Sequence, residues 1–247
     1  MKIHVQSPRI RGRPEYYAAG MRLENINSST MKYLLVIALL LVSGSLVHAE
    51  AEWTALFDGK TLNGWNTPDG KPAAGWLVEA DGVLHFTGKG PFLLSEKEFT
   101  SFELEWEWKL AAGSNNGIKY WSTKVGGKEW LGIEYQMIDD LKHPDGLRGG
   151  SHDTGSIYDI FDSSKDKKLL PVGEWNKSRV VVKDGKIEHW LNGSLAASAD
   201  TKSEEWKAHI ARSKFKGKAD FAPGHGRIML TAHGDPAWFR NVRIRGF

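Results

Sequence analysis

The sequence predicts an all-β domain, an antiparallel β-sandwich with one short helix near residues 203–213. Apolar Phe102, Leu104, Trp106, Trp108 and Leu110 alternate with Glu103, Glu105, Glu107 and Lys109, the pattern of a long strand with one buried face. The dipeptides Asp184-Gly185 and Asn192-Gly193 are hairpin turns that join three strand segments into a meander. Only one stretch of the chain has helical spacing. Many short strands separated by regular turns, over roughly two hundred residues, fit a two-sheet sandwich, and a closed barrel is the other architecture that the pattern admits.

The elements follow in order. Residues 1–30 have no apolar periodicity and read as an extended or non-native leader. Met31-Lys32 opens an apolar run over 33–42 that is too short to span a bilayer and leads into Val47-His48-Ala49. Residues 31–49 therefore read as a secretory signal peptide, and the expected location is periplasmic or secreted, with no integral membrane segment once the signal is removed. The remaining residues, 50–247, form one domain. Strands are expected at 75–78, 83–86, 92–95, 102–110, 117–121 and 132–138, then at 178–183, 186–191 and 194–199. Ser203 begins the helix as an N-cap, followed by Glu204, Glu205 and, at helical spacing, Trp206, His209 and Ile210. Strands at 227–231 and 237–245 close the domain.

Composition narrows the function. The chain carries a formal charge of +3, but residues 1–49 hold six Lys and Arg against two Glu, so the domain itself is at −1. No basic patch for nucleic acid remains. There is no cysteine, so stability after export rests on packing. All eleven tryptophans lie in the domain. Most are expected in the core, and some could stack on sugar rings.

The densest polar segment is Gly132-Ile133-Glu134-Tyr135-Gln136-Met137-Ile138-Asp139-Asp140, followed by Leu141-Lys142-His143-Pro144-Asp145-Gly146. Its alternation puts Glu134 and Gln136 on one strand face, and its turn sets carboxylates and an imidazole at the strand's end. The segment is either a polar site or a wet edge strand. Asn115, Gly117 and Lys119 share a face of another strand, where Asn115 could bind hydroxyls and Lys119 could stabilise an oxyanion, or where a hairpin simply carries a solvated lysine. Tyr158 either reaches a pocket rim or covers the core edge. His189 alternates with Ile187 and Leu191 and reads as a packed histidine. His233, at a strand-to-turn junction beside Gly234 and Asp235, suits general acid or base work or caps the turn. No metal motif is present; an oxygen-rich calcium site in the turn of Asp139, Asp140, His143 and Asp145 is the one cofactor the residues leave open. Paired carboxylates of a retaining glycosidase are not evident either.

With those residues in place, the domain resembles the 3-keto-disaccharide hydrolase family. The resemblance is collinear from Trp53 to the C-terminus, through Leu56-Phe57-Asp58-Gly59, Asn115-Asn116-Gly117-Ile118-Lys119-Tyr120, Gly132-Ile133-Glu134-Tyr135-Gln136, Gly173-Glu174-Trp175-Asn176, Glu188-His189-Trp190-Leu191-Asn192-Gly193, His233-Gly234-Asp235 and Trp238-Phe239-Arg240-Asn241-Val242-Arg243. It implies a concanavalin A-like jelly roll, a small-molecule carbohydrate substrate, and cleavage of 3-keto-glycosides. A ketone at C3 acidifies C2–H, so the C1–O bond can break by elimination and water addition without paired carboxylates. On this reading Glu134, His233 and Lys119 are catalytic, and Gln136, Asn115, Asp139, Tyr158, Trp238 and Arg240 bind substrate. The stretch before His-Gly departs from the family: Leu-Gln-Asp is replaced by Leu230-Thr231-Ala232. That departure motivates the alternative, a non-catalytic carbohydrate-binding module.

Overall fold

The computed structural model describes residues 51–247; the leader and signal-peptide readings over 1–49 lie outside the described residues. The strands are β1 (Thr54–Ala55), β2 (Trp65–Asn66), β3 (Trp76–Val78), β4 (Leu84–Thr87), β5 (Leu93–Phe99), β6 (Phe102–Leu110), β7 (Asn115–Val125), β8 (Glu129–Ile138), β9 (Asn176–Lys183), β10 (Lys186–Leu191), β11 (Ser194–Asp200), β12 (Gly226–Leu230) and β13 (Pro236–Gly246). Helix α1 spans Glu204–Ile210. Every pairing is antiparallel. An eight-stranded sheet runs β11-β10-β9-β6-β13-β4-β3, with β1 also on β13, and a five-stranded sheet runs β2-β5-β12-β7-β8. The two sheets stack as a jelly-roll sandwich, and the closed barrel is not formed.

The core is built by alternation. From β6, Phe102, Leu104, Trp106, Trp108 and Leu110 all point inward and are buried. Ile133, Tyr135 and Met137 of β8 meet them from the other sheet. The Trp106 and Tyr135 rings stand near-perpendicular with centroids 4.9 Å apart, a favoured aromatic geometry. Burying each of these large side chains contributes about 1.5–3 kcal/mol. Polar groups between the sheets are bonded in series: Trp108 Nε1 donates to Ser178 Oγ, which donates to the Tyr135 hydroxyl, which donates to the Trp190 carbonyl. His189 is wholly buried there, its Nε2 2.9 Å from the Tyr120 hydroxyl. Its Nδ1 faces the Gly155 and Ser156 carbonyls, which can only accept, so Nδ1 carries the proton.

The outer face of the eight-stranded sheet is a ladder of opposite charges. Glu103, Glu105 and Glu107 of β6 pair with Arg245, Arg243 and Arg240 of β13, and Glu103 and Glu105 also with Arg179 and Lys177 of β9.

Several boundaries differ from the sequence reading for physical reasons. β1 and β2 are two residues each, too short to show periodicity. β7 continues past Trp121 through a bulge where that residue takes φ 49°, which breaks the alternation. The helix is shorter than 203–213, because Ser213 donates its hydroxyl to the Ile210 carbonyl and Phe215 turns into the core.

Candidate functional site

β7 and β8 pair so that Lys119 lies directly opposite Glu134 and Gly117 opposite Gln136. Directly opposed side chains share a face. Inward neighbours Ile118, Tyr120, Ile133 and Tyr135 fill the core, so Lys119 and Glu134 rise on the outer face of the five-stranded sheet. His233, just beyond β12, reaches the same carboxylate. His233 Nε2 is 2.9 Å from Glu134 Oε1, and Lys119 Nζ is 3.4 Å from Glu134 Oε2. Each carboxylate oxygen therefore has its own cationic or N–H partner.

Gly117 makes the arrangement possible. A Cβ there would lie 2.6 Å from Glu134 Oε1 and 3.0 Å from its Cγ, so the absence of a side chain lets the carboxylate lie over the β7 backbone. Glu134 is only 2% exposed, whereas the His233 side chain is 35% exposed, and the cluster opens to solvent on the imidazole side.

Burial alone would raise the Glu134 pKa, but Lys119 and His233 outweigh it and bring it down to about 2. The carboxylate is thus ionised and only weakly basic. An ionised Oε1 can only accept, so Nε2 of His233 carries the shared proton and Nδ1 holds the lone pair when the ring is neutral.

The loop after β8 supplies a second layer. Tyr158 donates its backbone N–H to the Glu134 carbonyl at 3.0 Å. Its hydroxyl donates to Asp145 Oδ2 at 2.7 Å, and burial together with that carboxylate raises the phenol pKa. His152 lies between Asp145 and Asp159, 3.4 and 3.6 Å away. The Lys214 ammonium sits 4.1 Å from the Tyr158 ring centroid, and its charge adds to those that hold Glu134 ionised.

The structure brings Lys119, Glu134 and His233 together, with Tyr158 beside them. Asn115 and Gln136 share the Glu134 face by register, and Asn115 Oδ1 and Gln136 Nε2 are buried without a hydrogen-bond partner. Three expected residues lie elsewhere. Asp139 accepts from the Gly113 and Leu141 amides and ties the β6–β7 turn to the end of β8. Trp238 stacks on His85, and Arg240 pairs with Glu107; both stand on the outer face of the opposite sheet, because their neighbours Ala237 and Phe239 are the ones that enter the core. Thr231 directs its hydroxyl at the Gly117 carbonyl and Asn116 Oδ1, and Ala232 adds no polar group.

The acidic turn is also engaged. Asp140 pairs with Lys167 and accepts from the Thr154 amide, and His143 Nδ1 accepts from the Asp145 amide. Among the described residues no three His, Asp or Glu gather as metal ligands. An apolar cavity of about 450 Å³ opens at one end of the sandwich between Trp108, Leu110, Ile138 and residues 169–172, but none of Lys119, Glu134 and His233 lines it.

Sequence reasoning did not single out Lys214 or the role of Gly117. Lys214 lies in an irregular turn with no local signal. Gly117 follows Asn116 inside a strand, and an isolated strand glycine marks a close approach of another group.

A family model described as the 3-keto-alpha-glucoside-1,2-lyase-like domain matches residues 52–245. A Bacteroides thetaiotaomicron protein named 3-keto-disaccharide hydrolase is 30% identical over 228 residues, covering 78% of each chain. The crystal structure of a Parabacteroides distasonis protein described as a proposed glycosyl hydrolase superposes with a TM-score of 0.72 at 33% identity, covering 79% of this chain and 94% of that one. A second such structure from the same organism gives 0.63 at 27% identity, covering 79% and 100%. Sequence, fold and the convergence of Lys119, Glu134 and His233 agree, and the chain belongs to the 3-keto-alpha-glucoside-1,2-lyase-like, or 3-keto-disaccharide hydrolase, family.

Proposed function

We propose that this protein cleaves the glycosidic bond of 3-keto-glycosides, and that the Glu134 carboxylate shared by His233 and Lys119 is the core of its active site. The observation that carries the reading is that bridged carboxylate, assembled from β7, β8 and the turn after β12. A carboxylate of pKa about 2 is a poor base, so Glu134 orients His233 and stabilises the imidazolium that forms. His233 is the base. Its Nδ1 removes the proton from C2, and the electron pair moves into an enolate across C2, C3 and the keto oxygen. The enolate then collapses to a C1–C2 double bond and expels the C1 oxygen, which takes the proton back from His233. Water adds to C1 as a proton returns to C2, and the net result is hydrolysis. Developing negative charge at the keto oxygen is met by the lysine charges of the site. Asn115 and Gln136, whose buried polar atoms lack partners, would position sugar hydroxyls, with Tyr158 at the edge.

The scheme is written with side chains alone, and the carboxylates of the 139–145 turn are bonded within the protein. The leader sequence over 31–49 supports action outside the cytoplasm, in the periplasm or beyond the cell. The test is turnover of a 3-keto-glucoside by the purified protein in the presence of chelator. Glu134→Gln and His233→Ala are each expected to lower kcat by about 10²–10⁴-fold, the usual contribution of a general base and its support. Normal turnover by the double variant would sink the scheme, and loss of wild-type turnover on adding chelator would show that a metal takes part.

One observation favours a second reading, a carbohydrate-binding module without activity. Thr231 and Ala232 offer no amide or carboxylate where the family's Gln-Asp stands, and the Thr231 hydroxyl is spent inside the protein. Calorimetric binding of glycans with no cleavage of keto or ordinary glycosides would establish it.

A further inference from the structure

Resting on the keto-glycoside reading, we infer that Lys214 is the catalytic cation that contacts the keto oxygen as the enolate forms. Lys119 is the residue that sequence points to, but its ammonium is committed to Glu134 Oε2. Drawing it away would strip the permanently charged partner from a carboxylate that is 2% exposed. Lys214 adds to the field that holds Glu134 ionised but is not in contact with that carboxylate. Among the described residues its ammonium has no carboxylate within ion-pair distance; it rests over aromatic faces, 4.1 Å from the centroid of Tyr158 and 5.2 Å from that of Phe215. A cation held by aromatic faces gains about 0.5–2 kcal/mol there, less than a full charge pair in the same partly buried setting provides. A developing oxyanion is a better partner, so the ammonium can transfer to it at little cost.

The Lys214 backbone is held on both sides. The Lys214 amide donates to Asp159 Oδ2 at 2.7 Å, and its neighbours Ser213 and Phe215 are buried. Phe215 stacks on Phe221 with centroids 3.8 Å apart. Tyr158, which carries the ammonium, is fixed at both ends, by its amide on the Glu134 carbonyl and by its hydroxyl on Asp145. The residue as a whole is exposed, while burial of its ammonium against the site lowers the Lys214 pKa, so the charge is already partly desolvated where a ligand would meet it. This places Lys119 as the lysine in contact with Glu134, and Lys214 as the one whose ammonium can turn to charge that appears during reaction. Interactions made only in the transition state raise kcat, not affinity.

The test uses the full chain and the 3-keto derivative of 4-nitrophenyl glucoside, whose leaving group needs little protonation. Release of nitrophenolate gives kcat and KM, and NMR in D₂O follows deuterium entering C2 of the uncleaved substrate, which reports enolate formation apart from the later addition of water. Lys214→Met is expected to lower kcat and C2 exchange together by about 10²–10³-fold with KM nearly unchanged, as for removal of one oxyanion partner. Lys214→Arg keeps the charge and is expected to recover part of both. Lys214→Gln serves in place of Met if that variant does not fold. Wild-type-like kcat in the Met or Gln variant, or a rise in KM with kcat unchanged, would overturn the role of Lys214 while leaving the reaction intact. A wild-type protein that neither cleaves the substrate nor exchanges C2–H would overturn the reaction itself, and this role with it.

Discussion

Two side chains at the site do work that their identity alone does not reveal. Glu134 is a carboxylate, but the Lys119 ammonium and the His233 N–H make it an anchor more than a base, and Gly117 matters for the volume that it leaves empty. Gly117→Ala would bring a methyl group to 2.6 Å from Glu134 Oε1. The carboxylate must then shift off His233. Activity on a 3-keto-glucoside should fall at least about tenfold while the far-ultraviolet circular dichroism stays native, because a misplacement of about 1 Å in a catalytic group is enough to cost that much. Unchanged turnover in this variant would mean that the contact between Glu134 and His233 is dispensable.

Helix α1 is short, so its ends carry much of its stability. Ser203 Oγ accepts from the Trp206 amide at 3.0 Å, while Glu204 and Glu205 complement the positive end of the helix. The helix holds the site loop from behind: His209 stacks on Phe161 with centroids 4.2 Å apart, and Trp206 is buried beside them. Ser203→Ala should destabilise the domain by about 1 kcal/mol in urea unfolding. Strand β6 contributes through burial instead. Its outer-face carboxylates, largely covered by their partners, pair with β9 and β13; alternation of apolar residues on the inner face is the feature that sets the register of the eight-stranded sheet.

For the molecule as a whole, the absence of cysteine leaves packing and buried polar networks to hold the sheets together. Two buried groups make that stability depend on pH in separate windows. Burial lowers the His189 pKa from 6.5 to about 4, so the unfolded chain takes up the proton first. The contribution of His189 is complete above pH 6.5 and is lost as pH falls toward 4, a change on the order of 3 kcal/mol. Glu134 follows lower down: its contribution is complete above pH 4.5 and is lost as pH falls toward 2. Urea unfolding followed from pH 8 to pH 3 should show both declines. In His189→Gln the upper decline should vanish and the lower one remain, and an upper decline that persists in that variant would assign it to other groups.

Strand positions and the helix cap were legible because they rest on local physics. Period-two alternation, Asp-Gly and Asn-Gly turns, and a serine three residues before an amide it can accept from are all written within a few residues, and β6 and β10 lie where that pattern puts them. Alternation also grouped Glu134 with Gln136, and Asn115 with Lys119. It could not say which of two sheet faces each group would share with another strand. Trp238 and Arg240 alternate as cleanly as Glu134 does, yet they stand on the far side of the sandwich, because that choice depends on how the two sheets stack. The meeting of Lys119, Glu134 and His233, and the arrival of Lys214 over Tyr158, join segments remote in sequence. Alternation along one strand assigns a side chain to a face but carries no information about which remote segment will pack over that face; long-range pairing and the burial of both sheets settle that together.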